Sequence, residues 1–275
     1  MGGGVSLRVP RHLAIFSVLT LLSLSQLSAD TIGYTDFSST AGLVFNGSPA
    51  ATVVSDALQL TTAGVYHDPT SVWDSTEQDV ASGFTTTFTY QVISPAADGF
   101  AFVVQGSPDA TSALGGYGGN LGYTGITNSL AIDFDTYTSG GSDIQSCGTY
   151  ANGSPASMVC TLQHFSNPTI YDGLTHTATI GYTPGIDLLS VSIDSGAYTA
   201  DVTLPTDIET YLGLTGGLAW EGFTAATGGY TQTVDIQNWS EVTGTPEPST
   251  CVLFGLSGVG LILGRKRFRY ACRAV

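Results

Sequence analysis

The chain has almost no basic residues outside its two ends. It holds 7 Lys and Arg against 22 Asp and Glu in 275 residues, and no Lys or Arg lies between Leu13 and Gly264. All 22 acids lie between Asp30 and Glu247, so a domain of those residues carries a formal charge of −22. Such a chain cannot neutralise phosphates, which argues against nucleic acid as a partner. Without cations for ion pairs, clustered carboxylates must be solvated, protonated or metal-bound.

Residues 30–243 also lack a long helical hydrophobic period. Short runs that alternate apolar and polar residues recur instead, separated by clusters of Gly, Pro, Asn and Asp. This pattern predicts an all-β fold, an antiparallel β-sandwich, with one or two helical turns at 205–212. No internal repeat or linker interrupts it before about Thr243, so we expect one domain. The predicted strands lie at 83–92, 99–105, 128–137, 176–183, 188–194, 216–225 and 233–242.

The N-terminal segment has the composition of an export signal. Arg8 and Arg11 precede a short apolar run that ends in small residues at Ala29. This order is typical of a secretory signal peptide, and we assign it to residues 1–29. The run is shorter than the roughly 20 residues that span a bilayer.

Residues 244–275 combine a Pro-Glu-Pro triplet, an apolar segment and a basic cluster. An apolar segment followed by basic residues is a stop-transfer pattern. The order resembles the PEP-CTERM sorting signal of Gram-negative bacteria, with Pro246, Glu247 and Pro248 as its motif. The resemblance implies a C-terminal anchor helix held transiently in the inner membrane and an exosortase-type processing enzyme as partner. It places the mature protein at the outer surface or in extracellular polysaccharide.

Cysteine is scarce, with 4 in the chain. Cys147 and Cys160 lie in the region predicted to be exported, where an oxidising compartment allows them to pair. By the chain-entropy estimate a bridge closing so short a loop contributes roughly 3 kcal/mol. We therefore predict one disulfide.

The stretch NSLAIDFDTY, residues 128–137, places two acids inside a predicted buried strand. Side chains alternate across a strand, so Asp133 and Asp135 point to the same face. Two neighbouring carboxylates with no Lys or Arg nearby are tolerated when a divalent metal ion lies between them. The alternative is that both are solvated groups with raised pKa values.

Three motifs occur in the order found in one family of sandwich proteins. The motifs are ADGFAFVVQ (97–105), ALGGYGGNLGYTGITNSLAIDFDTY (113–137) and GFTAATGG (222–229). Taken together, the motifs resemble L-type (legume-like) lectin domains, which implies the concanavalin A-like jelly roll. The resemblance covers nearly the whole of residues 30–243 and implies a carbohydrate-binding protein.

The resemblance implies a metal site that follows the strand with the two acids. In that family, the residue at Asp133 binds a transition metal, the one at Asp135 bridges it to Ca²⁺, and the one at Tyr137 offers a carbonyl oxygen to Ca²⁺. This chain departs from the pattern: Ser139 replaces an Asn, and Asp143 is the only acid in a loop without His. A transition metal would lack its natural nitrogen ligand, which leaves Ca²⁺ as the expected cofactor.

The resemblance also implies a sugar site. Asp98 corresponds to a carboxylate that accepts hydrogen bonds from sugar hydroxyls, and its peptide bond with Ala97 is commonly cis in the family. The amide of Gly116 would donate to a sugar oxygen, and Tyr137 would stack on the sugar ring, with Tyr230 extending the contact. The expected carbohydrate-binding residues are Asp98, Gly115, Gly116, Tyr137, Ser139, Ala226, Thr227 and Gly228.

Three functions are compatible with this fold. The first is a surface-associated lectin that binds glycan or exopolysaccharide without catalysis. The second is a structural matrix protein that keeps the fold with a degenerate sugar and metal site. The third is a glycoside hydrolase, but related enzymes carry Glu-x-Asp-x-x-Glu, and this chain has Thr138 at the position of the second Glu. Retaining hydrolysis needs two carboxylates that flank the scissile bond, so we predict a protein that is not an enzyme.

Overall fold

The structure, a computed structural model, describes residues 31–93, 96–137, 146–150 and 172–244, with only the backbone given for Thr31 and 146–150. Within those ranges no helix is long and apolar enough to cross a membrane. Several predictions fall outside the described residues and stay predictions: the signal peptide 1–29, the segment 245–275 with Pro246, Glu247 and Pro248, the loop residues Ser139 and Asp143, and the Cys147–Cys160 disulfide.

Fifteen strands and one short α-helix make up the described fold. The helix, α1, is Ile208–Leu212. The strands are β1 Thr31–Tyr34, β2 Leu43–Gly47, β3 Thr52–Val54, β4 Ala57–Thr61, β5 Pro69–Asp74, β6 Gln78–Asp79, β7 Phe84–Ile93, β8 Gly99–Gln105, β9 Ser129–Asp135, β10 Ser146–Tyr150, β11 Thr175–Thr183, β12 Leu188–Ile193, β13 Tyr198–Thr203, β14 Leu218–Ala226 and β15 Thr233–Thr243.

The strands form two antiparallel sheets. The eight-stranded sheet has the order β13-β12-β11-β7-β15-β4-β3, and β1 also pairs with β15. The seven-stranded sheet has the order β10-β9-β8-β14-β5-β2, and β6 also pairs with β14. The predicted all-β sandwich is confirmed, and each of the seven predicted strands is present with ends within two residues of the prediction.

The core lies between the two sheets and is rich in aromatic residues. Along β7 every second side chain is buried, which is the alternation that a sheet with one covered face produces. Phe88 of β7 meets Phe223 of β14 edge to face, with ring centroids 4.9 Å apart, and Phe223 meets Trp239 at 5.0 Å. Each such ring contributes roughly 1.5–3 kcal/mol by leaving water, so contacts between the sheets hold the sandwich together.

A second apolar cluster covers the outer face of the seven-stranded sheet. The long connection between β8 and β9 folds back over this face and buries Leu121, Tyr123 and Ile126 against small strand residues such as Ala101 and Ala131. Trp73 anchors the connection through an indole N–H that donates to the carbonyl of Ala113 at 2.8 Å. The Gly-rich segment 114–120 is thereby held at one end of the sheet.

Two buried acids face each other across the core. Glu221 of β14 and Glu241 of β15 are 0% and 1% exposed. Within the described residues the carboxyl oxygens of Glu221 have no hydrogen-bond donor, whereas Glu241 interacts with the hydroxyl of Thr86. Burial raises the pKa of Glu221 well above its usual value, and the nearby carboxyls of Glu241 and Asp74 raise it further. We infer that Glu221 keeps its proton and donates it to Glu241, which bonds the two sheets together.

Candidate functional site

Four segments meet at one end of the seven-stranded sheet because of its register. Gly99, the first residue of β8, pairs with Asp135 at the end of β9 and with Ala226 at the end of β14. Ala226 in turn pairs with Pro69, where β5 begins. The residues just beyond these strand ends therefore lie together, and they include most of the residues that the sequence predicted for sugar and metal binding.

Asp98 lies at the centre of this end of the sheet. Its peptide bond with Ala97 is cis, as the resemblance implied. Its amide donates to the carbonyl of Ala226 at 3.2 Å, and its carbonyl accepts from the amide of Thr136 at 2.9 Å. The backbone of Asp98 is therefore fixed by the ends of both neighbouring strands, β14 and β9.

The carboxyl group of Asp98 is enclosed by glycines. The side chain is 7% exposed, and its Oδ2 is buried and has no hydrogen-bond partner within the described part of the chain. A Cβ on Gly228 would lie 2.6 Å from this Oδ2, and one on Gly118 would lie 3.8 Å from it. Burial raises the pKa of Asp98, and the nearby imidazole of His67 partly offsets this rise. Such a carboxylate lacks the donors that sugar hydroxyls can supply.

The Gly-rich segment is arranged differently from the expectation. The amide of Gly116, which the resemblance made a sugar donor, donates instead to the carbonyl of Thr124 at 3.0 Å. Gly115 is packed closely against the backbone, because a Cβ at this position would lie 2.6 Å from the carbonyl oxygen of Thr124. The structure places Gly118 beside Asp98 instead. The sequence motif alone could not indicate which of its glycines lies beside the carboxyl of Asp98.

The residues after β14 form a support for the site. The hydroxyl of Thr227 donates to the carbonyl of Val65 at 2.8 Å and accepts from the amide of Asp68 at 3.1 Å. This side chain is fully buried, and its two hydrogen bonds hold the loop in place. The resemblance implied a contact with sugar for the same residue. Ala226 is also buried, and Gly228 is the member of the predicted set that lies against Asp98.

Exposed aromatic side chains lie on the segments that surround Asp98. Tyr137 and Tyr230 are 53% and 60% exposed, and their ring centroids lie 5.9 Å apart. Tyr117, which precedes Gly118, is 54% exposed and meets the ring of His67 edge to face at 5.0 Å. The sequence prediction included the first pair and missed the second. The only local signal for the second pair was an aromatic residue between glycines in GGYGG.

Asp133 and Asp135 lie on the outer face of β9, as the strand alternation predicted. The Oδ2 of Asp133 accepts a hydrogen bond from the hydroxyl of the buried Tyr123 at 2.7 Å, while Oδ1 is buried and accepts none within the described residues. Burial raises the pKa of Asp133 to about 8; the charge of Asp135 adds to this, and Tyr123 opposes it. The burial of the Oδ1 of Asp133 contrasts with the solvated carboxylates of the predicted alternative.

Asp133 and Asp135 offer oxygen ligands of the type that Ca²⁺ prefers, but two carboxylates are fewer ligands than Ca²⁺ takes. The buried Oδ1 of Asp133 is an oxygen that a cation would satisfy, and Ca²⁺ takes about six to eight oxygen ligands. The Oδ1 of Asp135 accepts from the amide of Tyr137 at 2.8 Å. No three His, Cys, Asp or Glu come together as a metal site in the ranges that the structure describes.

Comparisons with known proteins agree with this architecture. The legume lectin domain family matches residues 30–250. Agglutinin-2 of Cladrastis kentukea is 30% identical over 262 residues, covering 83% of this chain and 87% of that protein. A lectin of Leucomphalos mildbraedii is 31% identical over 236 residues, covering 75% of this chain and 92% of that protein.

Solved structures show the same fold. The lectin of Bauhinia forficata in complex with GalNAc matches with a TM-score of 0.64 at 24% identity, covering 79% of this chain and 99% of that one. The metal-free form of lectin I-B4 from Griffonia simplicifolia matches with a TM-score of 0.63 at 22% identity, covering 79% of this chain and 100% of that one. The chain therefore belongs to the legume lectin family and is a carbohydrate-binding lectin without catalytic activity.

Proposed function

We propose that this lectin binds sugar at Asp98. The observation that carries the proposal is the Asp98 carboxyl, whose Oδ2 is buried without a donor in the described part of the chain. Tyr137 and Tyr230 stand beside it with more than half of each side chain exposed. A sugar hydroxyl donates to a carboxylate, and the apolar face of a sugar ring packs on an aromatic face, so the two features suit one ligand.

The chain itself supplies the rest of the binding chemistry. A Cβ on Gly228 would lie 2.6 Å from the Oδ2 of Asp98, so glycine at that position leaves room beside this carboxyl. A Ca²⁺ bound nearby would be held by Asp133, Asp135 and the carbonyl of Tyr137, and it would supply a fixed charge that orders the end of β9. We propose Ca²⁺ without a transition metal, because the known donors are oxygens.

The test is calorimetric titration of the protein with a panel of neutral monosaccharides that includes N-acetylgalactosamine, with and without added Ca²⁺. We expect Asp98→Asn to weaken binding on the order of 10- to 100-fold, since hydrogen bonds to a charged group contribute roughly 1.5–3 kcal/mol. Asp201→Asn, an exposed acid on β13 of the other sheet, serves as the control and should bind like the wild type. Equal affinity of the Asp98→Asn variant and the wild type would refute the assignment.

We also propose that the lectin is exported and acts at the cell surface on glycan or exopolysaccharide. The signal-peptide composition of residues 1–29 and the PEP-CTERM-like segment 244–275 support this proposal, with an exosortase-type enzyme as the processing partner. Cell fractionation and mass spectrometry of the surface fraction test it: the C-terminus should lie near Pro246–Pro248. Recovery of the full-length chain from the cytoplasm would contradict it.

A further inference from the structure

We propose that Gln232 is a positioning residue of the sugar site, whose buried side chain holds the end of β9 against the loop between β14 and β15. The inference rests on the proposed function, since it concerns the sugar bound at Asp98. It adds a residue that the sequence motifs did not indicate, and a hydrogen bond that sets Tyr137 beside Tyr230.

Gln232 is fixed through both its main chain and its side chain. It lies fully buried directly before β15, and its carbonyl accepts a hydrogen bond from the hydroxyl of Thr61 in β4 at 3.0 Å. Its side-chain Oε1 accepts from the hydroxyl of Thr136 at 2.7 Å, while its Nε2 has no acceptor among the described residues. Burying an amide is costly unless it is hydrogen-bonded, so the bond to Thr136 offsets part of that cost.

Thr136 connects this bond to the sugar site. It directly follows β9, it is 7% exposed, and its amide donates to the carbonyl of Asp98 at 2.9 Å. The next residue is Tyr137, whose ring is one of the two that the proposed function places against the sugar. Thr136 therefore bonds to Asp98 through its amide and to Gln232 through its hydroxyl.

The rings of Tyr137 and Tyr230 lie on segments that no strand ladder joins. Tyr137 comes after β9, and Tyr230 lies in the loop between β14 and β15; within the described residues β9 pairs with neither of those strands. Tyr137 is one residue from Thr136, and Tyr230 is two residues from Gln232. The Thr136–Gln232 bond therefore joins the two short segments that carry the rings, whose centroids lie 5.9 Å apart.

This bond prepares the two rings for a ligand. A sugar that packs on an aromatic face binds more tightly when the ring is already in place, because less freedom is lost on binding. A hydrogen bond shielded from water keeps the two segments in one arrangement. Loss of the bond leaves the sheets and the core in place but frees the segments to separate, so the expected consequence is weaker sugar binding by a folded protein.

The test removes the bond from either side in the full chain. Thr136→Val keeps the shape of the side chain without its hydroxyl, and Gln232→Met keeps its length without the amide. Calorimetry uses whichever of glucose, mannose, galactose, N-acetylglucosamine and N-acetylgalactosamine binds the wild type most tightly, at a temperature where circular dichroism shows each variant folded. We expect each substitution to weaken binding about fivefold.

Two matched variants serve as controls. Thr136→Ser keeps the hydroxyl and should bind like the wild type. Thr87→Val removes a hydroxyl that bonds to Thr179 at 3.2 Å on the outer face of the eight-stranded sheet, and it should also bind normally. In a Tyr137→Ala background, which keeps the Asp98 contact, Thr136→Val should cause no further loss of affinity, because the ring that the bond positions is absent.

The outcomes separate this inference from the proposed function. Wild-type affinity in folded Thr136→Val or Gln232→Met would show a merely structural bond and overturn the inference, even if urea unfolding showed lower stability. A loss in Thr136→Ser equal to that in Thr136→Val, or the same further loss in the Tyr137→Ala background, would overturn it as well. No binding of any of the five sugars to the wild type, or unchanged affinity in Asp98→Asn, would overturn the proposed function and this inference with it.

Discussion

The carboxyl pair Glu221–Glu241 should make the stability of the fold depend on pH. Glu221 has a usual pKa of 4.5, and burial raises this pKa well above that value in the folded protein. Between the two values the folded chain holds a proton that the unfolded chain has released. Raising the pH therefore favours the unfolded state, and the proton contributes stability that is present below 4.5 and lost as the pH rises through the folded pKa.

The uptake of one proton by Glu221 sets how strongly the free energy of unfolding changes with pH. Each pH unit inside that window removes about 1.4 kcal/mol from the free energy of unfolding. Glu221→Gln keeps a donor for Glu241 but cannot ionise, so the variant should become progressively more stable than the wild type as the pH rises above 4.5. Glu241 and Asp74 interact with Glu221, so the difference between the two pH profiles reports the titration of these carboxyls together. The raised pKa values of Asp98 and Asp133 affect both proteins alike.

Urea unfolding at pH 5, 6 and 7, followed by the fluorescence of the buried Trp73 and Trp239, measures this difference. Glu77→Gln, a partly exposed acid in the β5–β6 turn, is the control and should differ from the wild type by the same amount at every pH. Parallel pH profiles for the wild type and Glu221→Gln would refute the reasoning, whatever their absolute stabilities, because they would show that Glu221 ionises alike in both states.

Two further predictions concern the site. Gly228→Ala places a Cβ 2.6 Å from the Oδ2 of Asp98, so it should displace the carboxyl and weaken sugar binding more than about tenfold in calorimetry. Gly229→Ala, whose Cβ would meet nothing within 4 Å, should bind normally, and a loss of binding there would contradict the packing argument. Tyr123→Phe removes the donor to the buried carboxyl of Asp133 and should lower the free energy of urea unfolding by roughly 1–3 kcal/mol. Tyr66→Phe, on a side chain that is 60% exposed, should leave that free energy unchanged, and an equal loss in the two variants would argue against the hydrogen bond.

Some of the strands that the sequence predicted show clear alternation, whereas β8 is buried at every residue. β7 and β11 bury every second residue, and such a period can be read without a structure. The short strands β3 and β6 were not predicted. β6 has two residues, which is too few to show a period, and the three residues of β3 are all exposed. β2 was missed for a related reason: its residues are all partly exposed, so it shows no period. The helix α1 was predicted, and Asp207 caps it by accepting from the amide of Thr210 at 2.8 Å.

The site was predicted in part for the same kind of reason. Asp98 and the two acids of β9 lie in motifs whose residues are close in the chain, so the resemblance could locate them. The role of Gly116 could not be decided that way, because its hydrogen bond to Thr124 depends on how the segment folds back over the sheet. Thr227 likewise reveals its supporting role only through its contacts with Val65 and Asp68.

By itself the sequence determined the sandwich, the absence of basic residues from the domain and the position of Asp98, since alternation, composition and local motifs are properties of neighbouring residues. Only the tertiary structure decided that His67 lies against Tyr117 and that Glu221 meets Glu241. Both pairs join segments far apart in the chain. The register of the seven-stranded sheet brings the first pair together, and the packing of the two sheets brings the second, so no local pattern could show either.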